Sequence, residues 1–114
     1  MIETHYNCPC LETCPLNRTM SVIGGKWKMQ IICTLNKKGP VRYNNLRRSL
    51  DGISNTVLAK SLKELEQNGL VLRKEYMEVP ARVEYETTEV CDKLIPILDE
   101  LGEWWEGYNE GSCE

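Results

Sequence analysis

A mainly α-helical domain with one small β-hairpin is the fold class this sequence predicts, on three observations. Apolar residues recur at intervals of three and four over most of the chain. The period drops to about two between residues 72 and 87. One segment has a sharply marked start and stop, Ser54 as a natural N-cap and Gly69 as a natural residue just past a helix end. The 114 residues suffice for one modest core, so a single domain over residues 14–114 is expected. Residues 1–13 lack apolar periodicity and are read as an N-terminal arm containing cysteines.

The first helix is expected to start at Pro15, a favoured first helical residue, with Cys14 as its N-cap. Leu16, Met20 and Ile23 give it an apolar side, and Gly24-Gly25 ends it. A second helix is expected from about Lys26, burying Trp27, Ile31, Ile32 and Leu35 until the Gly39-Pro40 stop. Val41 and Arg42 read as extended. A short third helix then runs from Tyr43 to Leu50 with Leu46 and Leu50 inward, leaving Arg42, Arg47 and Arg48 to solvent. Asp51-Gly52 is a turn signal.

The fourth helix, between Ser54 and Gly69, is the one the others are arranged around. Leu58, Leu62 and Leu65 share one face with Ser61, while Thr56, Lys60, Lys63 and Gln67 fall on the other. Such a side, with Asn55 at its start and small Ala59 within it, offers hydrogen-bonding groups without bulk, which suits a DNA major groove. A polar surface helix with two incidental lysines would look the same in isolation. A short helix, a tight turn and a longer capped helix together form a helix-turn-helix.

Two alternating segments follow, Leu72 to Met77 and Val83 to Thr87, joined across Glu78-Val79-Pro80-Ala81-Arg82. A hairpin directly after the recognition helix makes the fold a winged helix-turn-helix. Arg82 is expected near the tip of the wing, where it could enter a minor groove or contact phosphate. An ordinary exposed hairpin charge is the bland alternative. Thr88 can cap a last helix running to about Asn109. In it Val90, Leu94, Ile97, Leu101, Trp104 and Tyr108 form one apolar row and Cys91, Ile95, Leu98 and Trp105 an adjoining one. Two rows are wider than one small domain needs, so a homodimer is expected through the terminal helices, with Leu16 and Met20 of the first helix assisting. Pro96 within this helix should bend it.

The net charge is −3, yet its distribution is uneven: +1 over residues 1–36, +5 over residues 37–82 and −9 over residues 83–114. A basic middle and an acidic tail imply one surface that attracts polyanions and another turned away from them. No run of roughly 18 apolar residues and no export leader is present, so a cytoplasmic chain without a membrane partner is expected. Enzymatic chemistry is not expected either. The one histidine lies in the arm, no carboxylate pair or phosphate-binding glycine loop occurs, and no cofactor is implied.

Taken together, Cys14-Pro15-Leu16, Ile23-Gly24-Gly25-Lys26-Trp27, Gly39-Pro40 with Arg42-Tyr43-Asn44-Asn45-Leu46-Arg47-Arg48, Gly52-Ile53-Ser54, Leu65 to Val71 and Glu78 to Tyr85 resemble the HxlR-type transcriptional regulators. The resemblance covers residues 14 to about 105. It implies a dimeric winged-helix DNA-binding protein of bacteria or archaea that represses or activates nearby genes. Some members of the family sense electrophiles, quinones, aldehydes or oxidants through a cysteine just before the first helix, and Cys14 stands there. Asn55 and Thr56 occur where many relatives carry Pro and Arg, so the operator sequence does not carry over. Cys8 and Cys10 are additional to the usual single cysteine.

On this reading the partner is double-stranded DNA with a near-palindromic operator. Ser54, Asn55, Thr56, Lys60 and Lys63 face the major groove, and Arg42, Asn44, Arg47 and Arg48 lie on flanking phosphates. Arg82 is at the wing, and Leu94, Ile97, Leu98, Leu101, Trp104, Trp105 and Tyr108 are in the dimer interface. Cys14 at a helix N-terminus, with Arg18 one turn on, is placed where thiolate is favoured; a half-buried packing thiol is the plain alternative. Redox sensing would use Cys14, alone across the dimer or with Cys8 or Cys10. A metal-responsive variant would use His5, Cys8, Cys10 and Cys14, although C-x-C followed by x3-C departs from the usual zinc spacing. A protein-interaction winged helix is the third reading, which the basic middle segment disfavours.

Overall fold

The computed structural model describes residues 14–113, and side chains for residues 14–108. The arm with His5, Cys8 and Cys10 lies outside the described residues. Helix α1 spans Pro15–Ile23, α2 Lys28–Lys38, α3 Tyr43–Ser49, α4 Asn55–Gln67 and α5 Glu89–Cys113; the strands are β1 Val41–Arg42, β2 Val71–Tyr76 and β3 Arg82–Thr87.

The helix boundaries follow from local chemistry. Cys14 is the N-cap of α1 and Pro15 its first residue. Trp27, expected inside the second helix, is instead its N-cap: its carbonyl accepts the Ile31 N–H at 2.9 Å, and the turn that leaves Gly25 (φ 95°) occupies the residues before it. Ser54 Oγ accepts the Val57 N–H at 3.2 Å and starts α4. The helix ends at Gly69, whose φ of 78° is open to glycine at little cost; Gly69 N–H bonds Glu66 O at 3.0 Å and Leu70 N–H bonds Leu65 O at 2.9 Å, a Schellman pair.

The sheet is antiparallel in the order β1-β3-β2. The expected hairpin is present, with Val71 opposite Thr87 and Tyr76 opposite Arg82. A third strand was not foreseen: Val41 and Arg42 pair with Tyr85 and Glu84. Their extended backbone groups find partners on the free edge of β3, which an isolated extended dipeptide would lack.

The core is where the helical periodicity put it. Ile31, Ile32 and Leu35 of α2, Leu46 of α3 and Leu58, Leu62 and Leu65 of α4 are buried, and Val71 and Tyr85 close the sheet side. Trp27 and Tyr43 pack half-buried against this cluster. One hydroxyl ties the end of α4 to the start of α5: Thr88 Oγ1 donates to Gly69 O at 2.7 Å and accepts the Cys91 N–H at 3.2 Å.

Helix α5 carries Pro96 in its interior and outlasts the expected end at Asn109. Its two apolar rows have different fates. Cys91 is buried, and Leu94 and Leu98, both expected in a dimer interface, pack half-buried on the domain's own core. Their positions on the first turns of α5, alongside α2, give them an intramolecular neighbour. Ile97, Leu101, Trp104, Trp105 and Tyr108 are 52–64 % exposed, as are Leu16 at 63 % and Met20 at 45 % on α1. Trp104 and Tyr108 stack with ring centroids 5.5 Å apart.

Candidate nucleic-acid interface

Helix α4 owes its orientation to its apolar face. Leu58, Leu62 and Leu65 are buried with Ser61, so the 100° step between residues turns Asn55, Thr56, Lys60 and Lys63 outward, and all of them are exposed. Burying Leu58, Leu62 and Leu65 on the core is what holds the lysine-bearing side in solvent. Lys28 of α2 reaches α4 from the other side: its Nζ lies 2.8 Å from Glu64 Oε1. This hydrogen bond and the lysine's charge hold the Glu64 carboxyl below the usual carboxylate range. Glu64 is thereby neutralised inside the fold and does not oppose a polyanion next to Lys60.

Helix α3 places Arg42, Asn44, Arg47 and Arg48 in solvent, with Leu46 as its buried anchor. Arg42, Asn44 and Arg48 line a cleft of about 270 Å³ between α3 and the wing, and Arg82 and Ala81 form its far wall. A second concavity of about 470 Å³ continues from it past Lys38, Arg42 and Arg48. The sequence-predicted phosphate contacts therefore share one continuous cationic surface, apart from Arg47, which lines neither cleft. Lys38 was not singled out from the sequence; its Nζ bonds Ser49 Oγ at 2.7 Å and stands at the rim.

Arg82 is placed differently from expectation. It is the first residue of β3, and its guanidinium folds back over the Tyr76 ring, 3.9 Å from the centroid, instead of projecting from the tip. Its Nη1 is 3.3 Å from Glu78 Oε1 and its Nε 3.3 Å from Glu84 Oε2, the latter at an angle that makes it an ion pair and not a hydrogen bond. Two carboxylates on either side of it are the physical reason: the nearest counter-charges lie on its own hairpin. The tip itself presents Met77 and Val79, both fully exposed.

Tyr43 is the residue that sequence reasoning missed. Its hydroxyl, from the first turn of α3, donates toward both Asn55 O and Asn55 Oδ1 at 3.2 Å, crossing the turn of the helix-turn-helix. An aromatic residue beside two asparagines and two arginines carries no periodic signal, and only the pairing of α3 with the start of α4 reveals it.

Cys14 is buried at the N-cap of α1, one turn before exposed Arg18. Cys33 and Cys91 are thiols on α2 and α5. Burial raises the Cys91 pKa to about 11, and burial likewise raises that of Cys33. Among the described residues no group of three His, Cys, Asp or Glu side chains is arranged to hold a metal ion, and of the set weighed for metal binding only Cys14 is described. No helix among them is long and apolar enough to cross a membrane.

An exposed lysine-bearing helix seated beside an arginine-lined cleft, with a β-hairpin following it, defines a winged helix-turn-helix of the DNA-binding class. The comparisons agree: the HxlR-like helix-turn-helix family matches residues 22–112, and the chain belongs to that family. It is 48 % identical over 94 residues to an HTH-type transcriptional regulator of Halalkalibacterium halodurans, covering 82 % of this chain and 83 % of that one. Among solved structures it is similar to a MarR-family transcriptional regulator from Porphyromonas gingivalis W83, with a TM-score of 0.77 at 40 % identity over 84 % of this chain and 93 % of that one. The redox regulator HypR in its oxidized form gives a TM-score of 0.75 at 40 % identity, over 82 % and 96 % respectively. The chain is a winged-helix transcriptional regulator.

Proposed function

We propose that this regulator binds double-stranded DNA as a homodimer at a near-palindromic operator, and that oxidants or electrophiles release it through Cys14. The outward polar face of α4 beside the Arg42–Arg48 cleft is the observation that carries the first part. In this reading α4 enters the major groove with Asn55, Thr56, Lys60 and Lys63, Ser54 at its mouth, while Arg42, Asn44, Arg47 and Arg48 hold the flanking phosphates. Arg82 braces the wing against the phosphate backbone. The exposed row Ile97, Leu101, Trp104, Trp105 and Tyr108, with Leu16 and Met20, supports a dimer, because an apolar stripe of this length is costly to leave in water. Half-sites then lie about one helical turn apart.

For the second part, Cys14 sits where α1 begins, and α1 borders α4 and the exposed stripe. Two thiols joining in a disulfide release two protons and pass two electrons to the oxidant, and the new bond constrains α1. Moving α1 changes the separation of the two α4 helices. The likeness to HypR, a redox regulator by name, supports this use of the position.

Electrophoretic shift of the DNA upstream of the protein's own coding sequence, before and after diamide, tests both parts. Binding that weakens with salt and is lost on oxidation is expected, and Cys14→Ser should bind without responding to diamide. Failure to shift any duplex rejects the first part; an unchanged diamide response in Cys14→Ser rejects the second.

A further inference from the structure

The Tyr43–Asn55 contact bears on which base is read, and it rests on the DNA-binding reading above. A free asparagine side chain facing the major groove presents a carbonyl oxygen and an amide N–H side by side, the pattern that pairs with adenine N6–H and N7. Asn55 is not free in this sense. It is the first residue of α4, it is exposed, and its Oδ1 is turned back to the Tyr43 hydroxyl at 3.2 Å. The same hydroxyl, 3.2 Å from Asn55 O, fixes the backbone from which that side chain springs. What remains directed away from the protein is the Nδ2 amide, a donor with two hydrogens and no lone pair.

We propose that Tyr43 is a positioning residue that converts Asn55 from an adenine reader into a donor-only reader, selecting a base that shows acceptors in the major groove, guanine through O6 and N7 or thymine through O4. Tyr43 does not touch DNA in this account. It acts by occupying the oxygen that adenine would need, so the pair Tyr43–Asn55, on two different helices, is the unit of recognition. Asn44, Thr56 and Lys60 supply contacts that do not depend on it.

Selection of random duplexes by the full-length reduced protein, followed by sequencing, tests this directly. Wild type should enrich guanine or thymine at one position in each half-site, by about fivefold or more over adenine. Asn55→Ala should erase the preference at that position and keep the rest of the site. Tyr43→Phe frees the oxygen and should move the preference to adenine, with no loss of selectivity elsewhere. Asn55→Asp keeps an oxygen toward Tyr43 but replaces the donor by an acceptor, and should favour cytosine or adenine. A purely structural role for Tyr43 would weaken all positions together. A site indifferent to Tyr43→Phe, or one in which wild type prefers adenine at the position Asn55→Ala erases, overturns the proposal. Should Tyr43→Phe not fold, the Asn55→Asp and Asn55→Ala selections decide alone. A wild-type protein that enriches no sequence overturns the DNA-binding reading itself, and this one with it.

Discussion

Lys28 Nζ lies 2.8 Å from Glu64 Oε1, and this pair fastens the DNA-facing helix α4 to α2 from its inner side. The lysine side chain is only 13 % exposed and the glutamate 39 %, so the contact is better shielded than a typical surface pair. Because Lys28 lowers the Glu64 pKa from 4.5, the pair adds stability above that pH and loses it as the pH falls through the lower folded value. Glu64→Gln should therefore melt earlier than wild type at pH 7. The gap should close in acid, once the wild-type carboxyl is protonated. Differential scanning calorimetry from pH 7 to strongly acidic buffer checks this.

Thr88→Ala should cost about 1–2 kcal/mol in urea unfolding, since it removes the N-cap of α5 and the bond to Gly69 O together. Thr88→Ser should recover most of the loss.

Cys91 stays protonated in the fold to about pH 11, against 9.0 for the thiol without the fold's surroundings, mainly because it is buried and then because Asp92 and Cys33 oppose its charge. The sign follows: below pH 9 it contributes no pH dependence, and from 9 to 11 the unfolded chain sheds the proton first, so stability falls. Cys91→Ala should remove part of that alkaline fall. At pH 8 a thiol reagent should leave Cys91 untouched until the protein unfolds, which peptide mapping of the alkylated protein would show.

The charges on the two sides of the wing should separate in a salt titration. Replacing Lys60 and Lys63 by alanine should weaken DNA binding and shrink the slope of log K against log salt by about 2. Arg82→Ala should change the slope by about half a unit or less, because Glu78 and Glu84 already neutralise that guanidinium, while making the hairpin easier to cut with protease.

Leu101→Asp combined with Trp104→Ala should convert a dimer into a soluble monomer that keeps its helical signal, as judged by sedimentation. A protein that was already monomeric at micromolar concentration would show no change.

The recognition helix was readable from the sequence almost to the residue, because Ser54, Gly69 and the leucines between them act through local rules of capping and period. Thr88 and Pro15 were readable for the same reason. The third strand was not, since Val41 and Arg42 become a strand only through β3, more than forty residues on. Leu94 and Leu98 were assigned to a partner because periodicity reports an apolar face but not who covers it. Arg82 looked like a tip residue by position along the hairpin, and what redirects it is a pair of carboxylates that spacing alone does not rank. Tyr43 needed both helices in place before its hydroxyl meant anything.

Strand β1 gives the molecule a further property. It runs directly into α3 at Tyr43 while its own backbone is hydrogen-bonded to β3. The hairpin and the short arginine helix are thus stitched together by main chain, and neither can swing without dragging the other. Whatever signal reaches this domain has to shift its whole reading head as one rigid block, and the control left to it is where that block points.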